Sequence, residues 1–228
     1  MPDMTRQHLK KNELEDFVIK SVEWVKSNRQ LASSIGGSAA VALILIIFFF
    51  VRFHTVRLRA EEKLSFAEAS FYQGKQQDGV RIVDEIISQY PGTNAEYQAR
   101  LQKTLYLLEI HDYDAADKTI IPVTQSGKPG TIVPIAMSLL GAIKENAGKY
   151  GEAIQAYNEF LDRFPEHYYA PKIYESLARV YEITGSMENA KATYEKLATL
   201  YPSSAWSAKA QERIAAIART PQTPPKPQ

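Results

Sequence analysis

The sequence of 228 residues contains no cysteine. Without thiols the chain forms no disulfide framework, no thiolate metal site and no cysteine nucleophile, and this absence is compatible with either side of a membrane. The chain also lacks an excess of one charge, because 27 Lys and Arg residues face 26 Asp and Glu residues. Nucleic-acid binding calls for a general basic surface. We therefore expect no nucleic-acid partner.

The sequence also lacks the short motifs that carry catalysis. It has no glycine-rich phosphate loop, no nucleophile elbow and no HExxH zinc motif. Its histidines are scattered over separate segments without metal-ligand spacing: His8, His54, His111 and His167. We therefore expect no enzyme activity, no catalytic residue, no cofactor, no metal and no small-molecule substrate.

Between Arg29 and Arg52 lie 22 residues without a charge. At about 1.5 Å per residue they cover the roughly 30 Å hydrocarbon core of a bilayer. We predict one transmembrane helix over residues 30–53. A cleaved secretory signal is the alternative, but the small residues 38–40 precede the apolar stretch instead of following it.

The orientation of this segment is less marked in the sequence. Six Lys or Arg residues precede it and four follow closely, a small bias by the positive-inside rule. Large domains translocate with little regard to their charge. We expect a cytoplasmic N-terminus and a long C-terminal portion outside.

The N-terminal segment, residues 1–29, contains apolar residues at helical spacing. They are Leu14, Phe17, Val18, Val22 and Val25. This pattern predicts a short amphipathic helix over residues 12–27. The helix either lies on the inner membrane surface or contacts the cytosolic part of a membrane partner, or it is an ordinary helix beside the membrane with a solvated face. The sequence does not favour one of these interpretations.

A repeat of 37 residues, without gaps, organises the rest of the chain. Residues 37 positions apart occupy equivalent positions, and each set of them forms one column of the repeat. The first column is Gly74, His111, Gly148 and Gly185, and the second is Gly79, Ala116, Ala153 and Ala190. The third is Val83, Ile120, Tyr157 and Tyr194, and the last is Pro91, Lys128, Pro165 and Pro202. Such a period indicates stacked supersecondary units. In the third unit, apolar-periodic segments over 135–147 and 152–164 flank a turn at 148–151, so each unit is predicted to be a helix hairpin.

Four units and a cap follow from this register. The units are expected over 60–93, 94–130, 131–167 and 168–204, within a repeat domain of residues 54–219. The second unit departs most from the repeat, because it has His111 where the other units have Gly and Lys128 where they have Pro. Pro122 is predicted to shorten its second helix. Residues 205–219 are expected to cap the stack through Trp206, Ala210, Ile214 and Ile217.

The last residues, 220–228, are rich in proline. We expect an extended, disordered tail. A polyproline ligand is the alternative, because Pro221, Pro224 and Pro227 form two PxxP motifs.

The third and fourth units resemble tetratricopeptide repeats. The matching residues are Leu140, Gly141, Gly148, Ala153, Tyr157 and Pro165 in the third unit, and Leu177, Ala178, Tyr181, Gly185, Ala190, Tyr194 and Pro202 in the fourth. The resemblance implies helix hairpins in these units. Together with the predicted span and cap it gives an all-α fold: a single N-terminal transmembrane helix, then an α-solenoid of four helix hairpins and a C-terminal capping helix.

In that family the first helix of each unit lines a protein-binding groove. The matching positions in this chain are Leu64, Glu68, Phe71, Leu101, Leu105, Leu108, Ser138, Ala142, Glu145, Lys172, Glu175 and Arg179. The groove would be apolar in the first two units and polar in the last two. For Leu101, Leu105 and Leu108 the competing interpretation is ordinary packing, because their helix has few other apolar residues to bury.

The layout as a whole resembles the YfgM-like ancillary subunits of the bacterial Sec translocon. It comprises a short N-terminal segment, one apolar span, a link through His54 to Lys63 and the repeats. The resemblance implies an inner-membrane protein with periplasmic repeats that bind translocon components, chaperones or secreted chains. A scaffold for outer-membrane or cell-wall assembly is the second hypothesis. An anchored regulator that acts through its N-terminal helix is the third.

Overall fold

The computed structural model describes residues 3–219, with side chains from residue 15 onward, and the proline-rich tail lies outside this part. The described residues form ten helices and no strand. The helices are α1 (Asp3–Ser27), α2 (Arg29–Tyr72), α3 (Gln76–Gln89), α4 (Asn94–Glu109), α5 (Tyr113–Ser126), α6 (Val133–Asn146), α7 (Tyr150–Arg163), α8 (Ala170–Ile183), α9 (Met187–Leu200) and α10 (Ala205–Arg219). The chain divides into two compact units, residues 1–56 and 57–228.

The first compact unit contains α1 and the N-terminal part of α2. Helix α2 is 44 residues long and is apolar and long enough to cross a membrane, judged by length and composition. The side chains over its apolar stretch are exposed, as Ile44 and Phe48 illustrate. Residues 54–63, which we expected to link span and repeats, are helical because they contain neither Gly nor Pro to end α2.

The second compact unit is a stack of helix hairpins. Helix α7 shows why these segments are helical and amphipathic. Its buried residues, Ala153, Ala156, Tyr157, Phe160 and Leu161, recur at intervals of three and four and form one apolar stripe. The all-α solenoid predicted from the repeat is therefore confirmed.

The core continues from one hairpin to the next. One cluster joins Ala60 and Leu64 of α2 to α3 and α4, and another joins α6 and α7 to α8. The small residues Ala153 and Ala190 have no exposed surface, as expected where two helices cross closely. Each hairpin thus buries its apolar face against its neighbour.

The capping helix is present as predicted. Helix α10 packs on α9 and α8, with Ala210 fully buried. Trp206, Ile214 and Ile217 pack around the cluster that contains Tyr194 and Leu197. The helix covers the apolar face that the fourth hairpin would otherwise expose.

The prediction that Pro122 shortens the second helix of the second unit is wrong. Helix α5 contains Pro122 and has 14 residues, as do α3, α7 and α9. A proline in a helix loses one backbone hydrogen bond, a cost of about 3 kcal/mol. Ile120 and Val123, on either side of Pro122, are both fully buried, and this packing preserves the helix.

The turn inside each hairpin requires a left-handed backbone at one position. Gly74, Gly148 and Gly185 have φ between 72° and 76°, and His111 occupies the same column of the repeat with φ 63°. The amide of His111 donates to Leu108 O and that of Asp112 to Leu107 O, as Gly148 and Lys149 donate to Glu145 and Lys144. His111 therefore adopts the geometry of the glycines at the cost of backbone strain.

We predict that His111→Gly raises the free energy of unfolding by about 0.5–1 kcal/mol. Relief of the left-handed conformation, about 1–2 kcal/mol, exceeds the extra chain entropy of glycine. Urea unfolding followed by circular dichroism measures the change. The reverse variant, Gly148→His, is the matched control and loses about 1 kcal/mol. A His111→Gly variant no more stable than the parent would show that this turn carries no strain.

Candidate protein-binding surface

The twelve groove positions lie on the first helices of the hairpins: α2, α4, α6 and α8. Their side chains differ in exposure. Leu64, Ser138 and Glu175 are buried, whereas Glu68, Leu105 and Lys172 are exposed. The others are partly buried: Phe71, Leu101, Leu108, Ala142, Glu145 and Arg179.

The part of this surface on α2 and α4 is apolar. Leu101 and Leu108 pack against the core cluster between α4, α5 and α6, as the packing interpretation anticipated. Leu105 lies between them in sequence but leaves 49% of its surface exposed. Phe71 of α2 is partly buried against the cluster between α2, α3 and α4. Leu105 is therefore the apolar side chain of this set that is most available for contact.

On α6 and α8 the groove surface contains a network of ion pairs and hydrogen bonds, and this network extends to α10. Arg179 donates from Nε to Glu145 Oε1 and from Nη2 to Glu145 Oε2, each at 2.9 Å. The hydroxyl of Tyr157 donates to Glu145 Oε2 at 2.7 Å. A bidentate arginine–carboxylate pair fixes geometry better than a single contact. The network joins the third unit to the fourth.

Glu175 extends the network to the cap. Its side chain is 3% exposed, and it accepts a hydrogen bond from Arg179 Nη1 at 3.0 Å and one from Lys209 Nζ at 2.6 Å. A carboxylate this deeply buried requires such partners, because an isolated buried charge is very costly. The sequence placed Glu145, Glu175 and Arg179 on one surface, and in the structure Arg179 contacts both carboxylates.

The environment shifts the protonation equilibria of this network. Burial, assisted by the neighbouring Glu145 carboxylate, raises the pKa of the Tyr157 hydroxyl well above its ordinary value. Burial alone would lower the pKa of Arg179, but the charges of Glu145 and Glu175 outweigh it and raise that pKa. Tyr157 therefore stays protonated and donates, while Arg179 stays charged.

A second network repeats the arrangement one unit later. Arg213 of α10 forms an ion pair with Glu182 and donates from Nε to its Oε1 at 3.1 Å. Tyr194 is hydrogen-bonded to the same carboxylate. Burial would raise the pKa of Glu182, but hydrogen bonds from Arg213 and Tyr194 outweigh burial and lower it.

The corresponding positions one unit earlier are apolar. Leu108, Ile120 and Ala142 occupy the columns of Glu145, Tyr157 and Arg179. At these positions the interface between the second and third hairpins is therefore apolar, whereas the next two interfaces contain carboxylate networks. From the third unit onward, ion-paired and hydrogen-bonded side chains replace apolar ones at these positions.

Sequence reasoning missed three members of these networks: Glu182, Lys209 and Arg213. The 37-residue register gives Glu182 as the counterpart of Glu145. Lys209 and Arg213 follow Glu175 and Arg179 by 34 residues, because a shorter turn precedes the cap. A comparison at intervals of 37 residues therefore does not align these two residues with Glu175 and Arg179.

A cleft of about 530 Å³ lies between α5, α6 and α7, away from the twelve groove positions. Its lining includes Ile121, Leu140, Gln155 and Lys144. Lys144 bridges Asp117 at 2.8 Å and Glu152 at 2.7 Å. Among the residues whose placement is described, no group of three or more His, Cys, Asp or Glu side chains could hold a metal ion.

Two segments of the chain match models of the tetratricopeptide repeat, residues 136–167 and 171–204. They correspond to the third and fourth hairpins. No protein with a curated function matches this sequence.

Solved structures share the fold at low sequence identity. The MamA RS-1 ArsTM double mutant is 16% identical, with a TM-score of 0.57 over 69% of this chain and 82% of that one. The apo form of RapI is 13% identical, with a TM-score of 0.64 over 72% of this chain and 49% of that one. A Podosopora anserina protein with nearly identical TPR-like repeats is 13% identical, with a TM-score of 0.56 over 70% of this chain and 84% of that one. These likenesses show the fold.

Proposed function

We propose that the chain is a membrane-anchored, non-enzymatic protein-binding module that assists protein translocation at a bacterial inner membrane. In this proposal α2 spans the membrane through residues 30–53, with the N-terminus in the cytoplasm and the repeats in the periplasm. The partners are translocon components, chaperones or secreted chains. The half-exposed Leu105 on the inner helix α4 carries the proposal, because an apolar groove accepts segments of varied sequence.

Anchoring supports this function physically. A module confined to the plane of a membrane meets partners at a high effective concentration, so a weak groove suffices. The apolar stretch of α2 is the only such segment that length and composition identify among the described residues. The proposal therefore assigns anchoring to α2 and recognition to the repeats.

The second candidate function is a scaffold for envelope assembly complexes. One observation favours it: Glu175 and Arg179, on the same helix as Lys172, belong to an ion-paired network of fixed geometry, which suits a single, stable partner. A transient client would be recognised at Leu105, whereas a stable partner would be recognised near Lys172. The two functions therefore predict different contact positions.

Photo-crosslinking in intact cells separates the two functions. A photoreactive residue replaces Leu105, Lys172 or, as a control, the exposed Lys196 of α9. We expect position 105 to give adducts with many secreted chains, at a yield at least about fivefold above position 196, and the adducts to vanish when translocation is blocked. A single discrete product at position 172, with none at 105, would favour the scaffold. Equal yields at all three positions would contradict both.

A further inference from the structure

Helix α1 has an apolar face that the rest of the described chain leaves about half exposed. At about 100° per residue, its described side chains separate into two arcs. One arc, about 160° wide, is the apolar face, and its members are Phe17, Val18, Ser21, Val22, Trp24 and Val25. The five apolar members expose between 45% and 68% of their surface. A contiguous exposed face of this kind marks an interaction surface.

The one hydroxyl on the apolar face is satisfied within the helix. Ser21 Oγ donates to Phe17 O at 2.7 Å. A hydroxyl that already has a hydrogen-bond partner enters an apolar environment at a much smaller cost than a free one. The face is therefore apolar in effect along the described part of α1.

The two lysines of the described part of α1 lie at the edges of the opposite arc. Lys20 and Trp24 are four residues apart and are neighbours around the helix, and so are Lys26 and Val22. Glu15 shares the second edge but lies about three turns away from Lys26. Lysines at such edges keep their ammonium groups in water or among headgroups, while their alkyl stems lie along lipid. This is the arrangement of a helix that lies in a membrane surface.

The remaining carboxylates lie away from the apolar face. Asp16 and Glu23 occupy the middle of the opposite arc, where they would point into water. Residues 15–27 contain two lysines and three carboxylates, so attraction to anionic lipids does not supply the binding free energy. Burial of the apolar side chains has to supply it.

The junction with α2 allows α1 to turn away from the direction of that helix. Asn28 belongs to neither helix, because α1 ends at Ser27 and α2 begins at Arg29. Trp24 O accepts hydrogen bonds from the Asn28 amide at 2.9 Å, from Asn28 Nδ2 at 3.1 Å and from Ser27 Oγ at 3.0 Å. Side chains that bond to the backbone of the preceding turn compete with the helical hydrogen bonds and bend helices. The helix is thus interrupted directly before the proposed span of residues 30–53.

We propose that the apolar face of α1 binds the surface of the bilayer that α2 spans, with the axis of α1 along the membrane. The inference rests on the anchoring by α2 in the proposed function, and in that topology the surface is the cytoplasmic leaflet. Trp24 lies five residues before Arg29, at the membrane–water interface where tryptophan is enriched. Lipid is the occupant because α2 brings the face to the bilayer in every copy of the chain. This tether raises the effective concentration, so a weakly binding helix suffices.

Tryptophan fluorescence in vesicles tests the proposal. The chain has two tryptophans, Trp24 and Trp206. Both are replaced by phenylalanine, and one tryptophan is introduced by Phe17→Trp on the apolar face or by Asp16→Trp on the opposite arc. The full chain is reconstituted into phosphatidylcholine vesicles whose acyl chains are brominated near the headgroup. Bromine quenches a tryptophan that contacts the chains.

Position 17 is informative because of its distance from the span. If α1 stood upright on the membrane, residue 17 would lie about 18 Å beyond Arg29, out of reach of the brominated chains. We expect position 17 to be quenched at least about threefold more than position 16, because the apolar face of such a helix enters the boundary by about 5–10 Å. Val18→Glu combined with Val22→Glu reduces the quenching at position 17 to that of position 16. Glu23→Gln, on the opposite arc, leaves it unchanged.

Flotation of the vesicles distinguishes failure of this proposal from failure of the anchor. A chain that floats with the vesicles but is quenched equally at positions 16 and 17 would keep the anchor and overturn the membrane-bound α1. Weak quenching at both positions would then leave the apolar face to a protein partner. A chain that does not float would overturn the anchor and this proposal with it. The vesicles contain no other protein, so the expected quenching reports contact with lipid.

Discussion

Gly141→Ala is expected to lower the free energy of unfolding of the repeat domain by about 2–3 kcal/mol. A Cβ atom at this position would lie 2.2 Å from Cε1 and 2.4 Å from Cδ1 of Tyr157. Tyr157 is 1% exposed, and its hydroxyl is held by Glu145. The ring therefore cannot move aside without breaking that hydrogen bond or separating α6 from α7, and overpacking of this kind costs about 1–3 kcal/mol.

Gly151→Ala is the matched control. Gly151 lies inside α7, and a Cβ atom there would meet no heavy atom within 4 Å. Alanine in an open helical position gains about 0.5–1 kcal/mol over glycine. Thermal unfolding measures both variants, with the midpoint of Gly141→Ala lower by roughly 4–10 °C. Equal midpoints for the two variants would show that α6 and α7 adjust freely, and that the close approach at Gly141 is unimportant.

The double variant Ile44→Arg, Phe48→Arg is expected to release the chain from membranes. Both side chains lie in the apolar stretch of α2, 65% and 60% exposed in the structure, so no other part of the described chain shields them. Each arginine near the centre of a bilayer costs about 2.5–3.5 kcal/mol. Together they cancel much of the gain from burying the apolar stretch in lipid.

Alkaline carbonate extraction measures this release. The parent chain stays in the membrane pellet, whereas most of the double variant appears in the supernatant. Leu58→Arg is the control, since Leu58 is 58% exposed on the same helix but lies beyond residues 30–53, and it should remain in the pellet. A double variant as resistant to extraction as the parent would remove the anchor from the proposal.

The period of 37 residues predicted the architecture because packing imposes it. Ala153 and Tyr157, predicted to pack between helices, are buried as a pair with the spacing of one helix turn. The capping helix followed from the same logic, since Trp206 and Ile214 lie on one face. The sequence predicts which positions are buried, because equivalent positions are buried in successive units.

Other features depend on context that the sequence does not display. Pro122 indicated a shortened helix by local propensity, but the buried neighbours Ile120 and Val123 outweigh the lost hydrogen bond. The contact of Arg179 with Glu145 joins residues 34 positions apart, so the hairpin geometry had to be known first. His111 occupied a glycine column, which marks the strained turn, yet the sequence alone does not show that the backbone keeps the glycine conformation.

Thiol labelling of intact cells tests the central claim, that α2 anchors repeats exposed outside the cytoplasm. The chain has no native cysteine, so Ser27→Cys in α1 and Ser203→Cys in the exposed turn before α10 each provide one thiol. A membrane-impermeant maleimide is expected to label position 203 in intact cells and to label position 27 only after permeabilisation. Labelling of position 27 alone in intact cells would place the repeats in the cytoplasm and contradict both proposed envelope functions.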